Sequence, residues 1–177
     1  MSDISKALED CGALQFGEFT LASGAKSDYY INIKKASTNP KVLYLISQLM
    51  AEKMQTKNIR PDRIAGIVLG SIPLAAALSM ATGIPYVMVR KEQKDHGTKD
   101  LIEGDLNPGD KVLVVEDVIT TAGSSVKAIE TLRENGAVIN SIISVVDREG
   151  GGKENLAKIG VSLISLVTGS EIVKGKR

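Results

Sequence analysis

Cysteine and histidine are nearly missing from this 177-residue chain, which holds one of each, Cys11 and His96. One cysteine permits no internal disulfide and no multi-cysteine zinc site. One histidine argues against a histidine metal cluster and leaves a Ser-His-Asp triad a single residue to work with. A basic excess is absent too: 22 Lys and Arg stand against 21 Asp and Glu, a net charge of +1. A dedicated nucleic-acid binder is expected to be basic, so that class is disfavoured. The N-terminal segment mixes acids with Lys6 and lacks the basic-then-apolar pattern of a signal peptide. Residues 64–89 carry no charge and are long enough to span a bilayer. Gly66, Gly70, Pro73, Gly83 and Pro85 interrupt that stretch at spacings that suit strand, turn, helix, turn and strand. We therefore expect a cytoplasmic protein with no membrane or nucleic-acid partner.

What is present is an ordinary globular balance, 43% hydrophobic and 24% charged, over a length that suits one domain spanning 1–177. Ile4, Ala7, Leu8 and Cys11 repeat at helical spacing behind Ser2 or Asp3, and Gly12 fits a helix stop. Cys11 then reads as a core-face residue. Residues 16–21 and 29–33 read as two strands of a hairpin. Asn39 and Pro40 read as a cap and first residue of a helix whose apolar face is Val42, Leu43, Ile46, Leu49, Met50 and Met54. Beyond residue 63 come apolar runs at 64–69, 86–89, 111–115, 139–146 and 161–167. Runs of this kind suit strands buried on both faces of a parallel sheet. Helical stretches at 73–81, 125–135 and 153–158 alternate with them. The expected fold class is α/β: a mostly parallel sheet of about five strands flanked by helices, with a small N-terminal β-hairpin hood at about 14–36.

The most informative segment runs from Val112 to Ser125. A buried strand of apolar residues ends in two acids, Glu116 and Asp117. Val118, Ile119, Thr120, Thr121, Ala122, Gly123 and Ser124 then lead into a helix. Open α/β sheets place ligands at the carboxyl ends of their strands. Backbone N–H groups at a helix start, with Thr and Ser hydroxyls, can hold a phosphate dianion. The loop has no lysine and no GxGxxG, so it is neither a Walker A loop nor the dinucleotide fingerprint. Two carboxylates would repel phosphate but can accept hydrogen bonds from a vicinal diol, and a ribose 5-phosphate offers both groups. The same residues also read as a strand end with solvated acids and a hydroxyl-rich helix cap.

Other residues carry two readings each. Between 90 and 105, Arg90, Lys91 and Lys94 precede His96 and Gly97, and most acids follow. This is a solvated charged loop, or a lid whose cations gather around a diphosphate. Phe16, Phe19, Tyr29 and Tyr30 crowd into the hairpin, as a small core or as cover for a flat ring. Arg148, just past a buried run, is a surface arginine or a partner for a substrate carboxylate.

The segment 112–125 resembles the phosphoribosyl-diphosphate-binding motif of the type I phosphoribosyltransferases. Three more segments resemble the orotate-specific branch of that family. Phe19-Thr-Leu-Ala-Ser-Gly-Ala-Lys-Ser-Asp-Tyr-Tyr-Ile-Asn is similar to its N-terminal hood. Arg90-Lys91-Glu-Gln-Lys94-Asp-His96-Gly97 is similar to its catalytic loop, here about 90–105. Val146-Asp-Arg148-Glu-Gly-Gly is similar to its orotate-binding turn. The resemblance runs from residue 16 to about 152.

It implies Mg²⁺-dependent transfer of ribose 5-phosphate from phosphoribosyl diphosphate to orotate, within UMP biosynthesis. Lys94, His96 and Asp117 would be the catalytic residues. Phosphoribosyl diphosphate would be bound by Arg90, Lys91, Lys94, His96, Glu116 and Asp117, and by Val118, Ile119, Thr120, Thr121, Ala122, Gly123 and Ser124. Orotate would meet Thr120, Arg148, Tyr29 and Tyr30. Mg²⁺ would be held mainly by the diphosphate, with no direct protein ligand. Two subunits would share each site as a homodimer. The chain departs from the family at Ala22, where many members have lysine, and at Asp28, where many have proline. The turn at 68–73 lacks the tyrosine-lysine pair of some bacterial members. A transferase for a purine or uracil and a non-catalytic sensor of phosphoribosyl diphosphate are the alternatives. Arg148 and the hood speak against the first, and the 90–97 loop against the second.

Overall fold

The chain begins with α1 (Asp3–Asp10), which Ser2 caps by accepting the Ser5 N–H at 3.4 Å. An antiparallel hairpin of β1 (Leu14–Thr20) and β2 (Lys26–Ile31) follows, then α2 (Ile33–Ser37) and α3 (Pro40–Thr56). Next come β3 (Arg63–Ile67), α4 (Ile72–Thr82), β4 (Tyr86–Val89), β5 (Ile102–Glu103), β6 (Val112–Ile119) and α5 (Gly123–Glu134). The chain closes with β7 (Ser141–Asp147), α6 (Gly152–Lys158), β8 (Ser162–Thr168) and α7 (Gly169–Gly175). This computed structural model describes residues 2–20, 24, 26–90 and 101–175.

The main sheet has the order β5-β4-β3-β6-β7-β8, parallel throughout except for the β4–β5 pair. Its two faces fill separate cores because side chains alternate along a strand. Ile64, Leu113 and Val115 point to the side of α1, α3 and α4, while Ala65, Val112 and Val114 point to the side of α5 and α6. Leu113, Val114 and Val115 are fully buried. Burial of each such side chain stabilises the fold by about 1.5–3 kcal/mol. The charge-free stretch at 64–89 becomes β3, α4 and β4, and no helix among the described residues is long and apolar enough to cross a membrane.

Several boundaries differ from the sequence expectations, each for a local reason. The second hairpin strand stops at Ile31, and Ile33 and Ala36 turn inward at helical spacing to make α2. The run at 64–69 ends at Ile67, ahead of the turn that leads into α4. Strand β6 continues past residue 115 through both acids, because Glu116, Val118 and Ile119 pair with Ser144, Val146 and Asp147 of β7. A sixth strand, β5, lies within the stretch expected to be all loop, where Arg90 N–H donates to Leu101 C=O at 2.7 Å. Helix α7 was also outside the expected pattern. Residues 91–100, with Lys91, Lys94, His96 and Gly97, and residue Ala22 lie outside the described residues.

Candidate active site

The carboxyl ends of β3, β6 and β7 meet at one edge of the sheet, and three turns leave from them. The turn after β6 carries the sequence-predicted phosphate loop. Thr120, Thr121, Gly123 and Ser124 are exposed, while Val118 is half-buried and Ile119 is buried. Ala122 adopts a left-handed conformation, φ 63°, immediately before α5, and no side chain caps that helix. The first N–H groups of a helix of this length are left for an anion.

The acidic pair is divided by the strand. Glu116 is buried and its carboxylate faces inward. Ser71, at the start of α4, donates to one of its oxygens, and Ser125 donates to the other at 3.1 Å. Burial pushes the Glu116 carboxyl up to about 7; the two serines favour its ionised form, and neighbouring Asp117 disfavours it. Asp117 faces the other way and is half-buried. It lies over the bare face of Gly70 in the β3–α4 turn, where a methyl group on Gly70 would overlap Asp117 Oδ2. Only glycine lets that turn come so close to the carboxylate. The sequence pattern took in Ser125 and the 68–73 turn but gave no sign that Ser71 and Ser125 hold Glu116 or that Gly70 faces Asp117.

The turn after β7 packs onto the phosphate loop. Arg148 N–H donates to Ile119 C=O at 2.8 Å, and Asn155 Nδ2 donates to Thr121 C=O at 3.0 Å. A methyl group on Gly150 would stand 2.7 Å from Thr120 Cγ2, so the run of glycines permits this contact. Thr120 and Arg148, both predicted site residues, are thus brought together. The Arg148 guanidinium lies 4.9 Å from the centre of the Tyr29 ring, and Nη2 donates to Ser27 Oγ at 3.3 Å. The hairpin therefore supports Arg148 directly. Burial raises the Tyr29 pKa above its ordinary value, with Arg148 opposing, so the phenol stays neutral. A cavity of about 440 Å³ is lined by Tyr29, Arg148, Glu149, Gly169, Ser170 and neighbours. Tyr30 follows Tyr29 on a strand and so points to the opposite face, where its ring stands 5.6 Å from that of Phe19. The structure brings Tyr29 to Arg148 but not Tyr30.

Arg90 leaves the end of β4. Its Nη2 pairs with Glu103 Oε1 at 3.0 Å. It lines a cavity of about 410 Å³ with Leu101, Gly123, Ser124, Lys127 and neighbours, so this cation and the start of α5 share one space. A cavity of about 400 Å³ beside Arg60 and Lys111 lies at the amino ends of the strands, away from the edge where parallel sheets bind ligands.

Comparison with known proteins bears on this arrangement. The family model for the phosphoribosyl transferase domain matches residues 33–173. The chain is 49% identical over 171 residues to an orotate phosphoribosyltransferase of Methanocaldococcus jannaschii, covering 97% of this chain and 96% of the relative. It is 50% identical over 163 residues to that of Pyrococcus horikoshii, covering 92% and 88%. The crystal structure of orotate phosphoribosyltransferase from Aeropyrum pernix superposes with a TM-score of 0.88 at 35% identity, covering 98% of this chain and 97% of that one. The Mycobacterium tuberculosis orotate phosphoribosyltransferase, solved in complex with 5-phospho-α-D-ribosyl 1-diphosphate, superposes at 0.79 with 29% identity, covering 97% and 99%. The expected fold, a mostly parallel α/β sheet with an N-terminal hairpin, is the type I phosphoribosyltransferase fold. By the family model and these relatives, the chain belongs to the phosphoribosyltransferases and, within them, to the orotate phosphoribosyltransferase family.

Proposed function

We propose that this enzyme transfers ribose 5-phosphate from phosphoribosyl diphosphate to the ring nitrogen of orotate. The products are orotidine 5′-phosphate and diphosphate, a step toward UMP. The observation that carries this reading is the turn after β7, which packs Arg148 and Thr120 together beside an open helix start. A carboxylate partner and a phosphate cradle stand side by side, as a carboxylated base and a phosphorylated ribose require.

In the reaction the bond from ribose C1 to the diphosphate oxygen breaks, and the leaving group keeps the electron pair. The orotate ring nitrogen loses its proton to a diphosphate oxygen or to water, and its electron pair forms the new bond to C1. Positive charge develops on the ribose and negative charge on the diphosphate. Thr120, Thr121, Ala122, Gly123 and Ser124, with Val118 and Ile119 shaping the approach, hold the 5-phosphate. Asp117 accepts hydrogen bonds from the ribose diol and faces the developing positive charge. Glu116 sits behind it, locking the two turns. Arg90, Lys91, Lys94 and His96 act on the diphosphate, and Arg148 grips the orotate carboxylate through its planar fork. Tyr29 backs Arg148, and Tyr30 completes the hood.

The diphosphate oxygens would hold Mg²⁺ with no direct protein ligand, and the Asp117 carboxylate beside the open turn fits a hard divalent cation that keeps part of its water. Bound with the diphosphate, Mg²⁺ supplies positive charge that offsets the charge of the leaving group.

The enzyme works in the cytoplasm, as one catalytic domain and as a homodimer. Helix α4 supports the dimer: Ile72–Thr82 contains no charged residue, and Met80 on its outer side is 88% exposed. A helix apolar all round is normally covered, and a second copy of the chain would cover this one. Purified protein incubated with phosphoribosyl diphosphate, Mg²⁺ and each candidate base should release diphosphate with orotate and little with uracil. Equal use of uracil would overturn the assignment.

A further inference from the structure

We propose that Lys34 on α2 is a diphosphate-binding residue. This rests on the transferase reading above and adds a side chain that neither the sequence motifs nor the family segments single out. The turn between β3 and α4 reads Val68-Leu69-Gly70-Ser71 and carries no cation of its own. Asp117 presents a negative charge on the open face of Gly70. A diphosphate lying against that turn therefore needs positive charge from another element.

Lys34 reaches the same spot. A methyl group on Gly70 would stand 3.5 Å from Lys34 Cε as well as against Asp117 Oδ2, so both side chains converge on the one bare glycine. Helix α2 is fixed beneath it by buried Ile33 and Ala36, and Ser37 Oγ donates to Lys34 C=O at 3.0 Å. The stem of Lys34 is thus aimed by packing while its side chain stays exposed. Of the other described cations at this edge, Arg90 pairs with Glu103, Arg148 lies on Tyr29 and Ser27, and Lys127 lines the cavity at the start of α5, whereas Lys34 stands against the Gly70 turn. The neighbouring lysine makes a control. Lys35 Nζ lies over Gly12, 2.7 Å from where a methyl group would stand, and so points toward the turn after α1.

The test measures binding of three probes by calorimetry in the presence of Mg²⁺: phosphoribosyl diphosphate, inorganic diphosphate and ribose 5-phosphate. Lys34→Ala should weaken phosphoribosyl diphosphate and diphosphate by roughly 10- to 100-fold, as expected for a lost charge-assisted bond. It should leave ribose 5-phosphate and the melting temperature unchanged. Lys34→Arg should restore most of the loss, and Lys35→Ala should behave as wild type toward all three probes. The proposal is overturned if Lys34→Ala binds diphosphate within about twofold of wild type, if it loses ribose 5-phosphate equally, or if Lys35→Ala shows the same loss. A wild-type protein that binds none of the probes would instead overturn the transferase reading itself.

Discussion

Ser71, just before α4, donates its hydroxyl hydrogen to the carboxylate of Glu116 on β6, across 45 residues of sequence. Ser125 of α5 donates to the other oxygen. One buried carboxylate thereby ties the turn before α4 to the phosphate loop before α5. The two turns that would meet opposite ends of phosphoribosyl diphosphate share this anchor.

The tie makes stability depend on pH in a definite direction. Glu116 titrates near 7 in the folded chain against 4.5 for a free glutamate. Between those values the folded state binds more protons than the unfolded one, so stability falls as pH rises. The contribution is full below about 4.5 and is lost through about 7, on the order of 3 kcal/mol in all. Glu116→Gln removes it. Scanning calorimetry from about pH 5 to 8 should show a steeper loss of melting temperature in wild type than in the variant. Parallel curves would mean that Glu116 does not titrate there.

Arg148 should decide the base. Arg148→Ala should weaken orotate on the order of 10²-fold or more while leaving phosphoribosyl diphosphate nearly unaffected, because a substrate carboxylate loses its partner. Arg148→Lys should recover only part of this, since an ammonium cannot offer the two-bond fork. Competition binding with orotate and uracil reads the difference. Comparable losses for both substrates would indicate that Arg148 mainly holds Tyr29 and the hairpin in place.

Asp117→Asn should lower turnover with little change in the melting curve, because its half-buried carboxylate lies over an open turn. Mixed with Lys94→Ala protein, whose substitution falls outside the described residues, it also tests the shared site. If the loop serves the neighbouring subunit, free exchange should restore activity toward about a quarter of wild type, since half the dimers are hybrids with one intact site each. No recovery despite proven exchange would confine the loop to its own subunit.

Met80→Glu should break the proposed dimer. The substitution puts a charge on the exposed side of a helix that has none, and burying it unpaired costs several kcal/mol. Sedimentation should then report a species near the 18.8 kDa of one chain with its fold intact. A variant that sediments as wild type would move the interface off α4.

Local pattern determined much of this molecule. Runs of Val, Ile and Leu at 111–115 and 139–146 became the central strands β6 and β7, buried because both faces of the sheet are covered there. The runs at 86–89 and 161–167 became strands too, but β4 is buried only at alternate residues and edge strand β8 buries only Val167. Asn39 and Pro40 marked the start of α3, where Asn39 Oδ1 accepts from Lys41 N–H and Val42 N–H. The order of strand, acids and hydroxyl residues marked the loop at 120–124. Other features had no local signature. Strand β5 is two residues long and exists because β4 offers it an edge. The acids became part of β6 because β7 lies beside them and pairs with their backbone. Which acid faces inward, which serines hold it, and which of Lys34 and Lys35 reaches Gly70 depend on contacts between residues distant in the chain. Helical and strand periods say which face a residue occupies, but only packing of one element on another decides what it meets there.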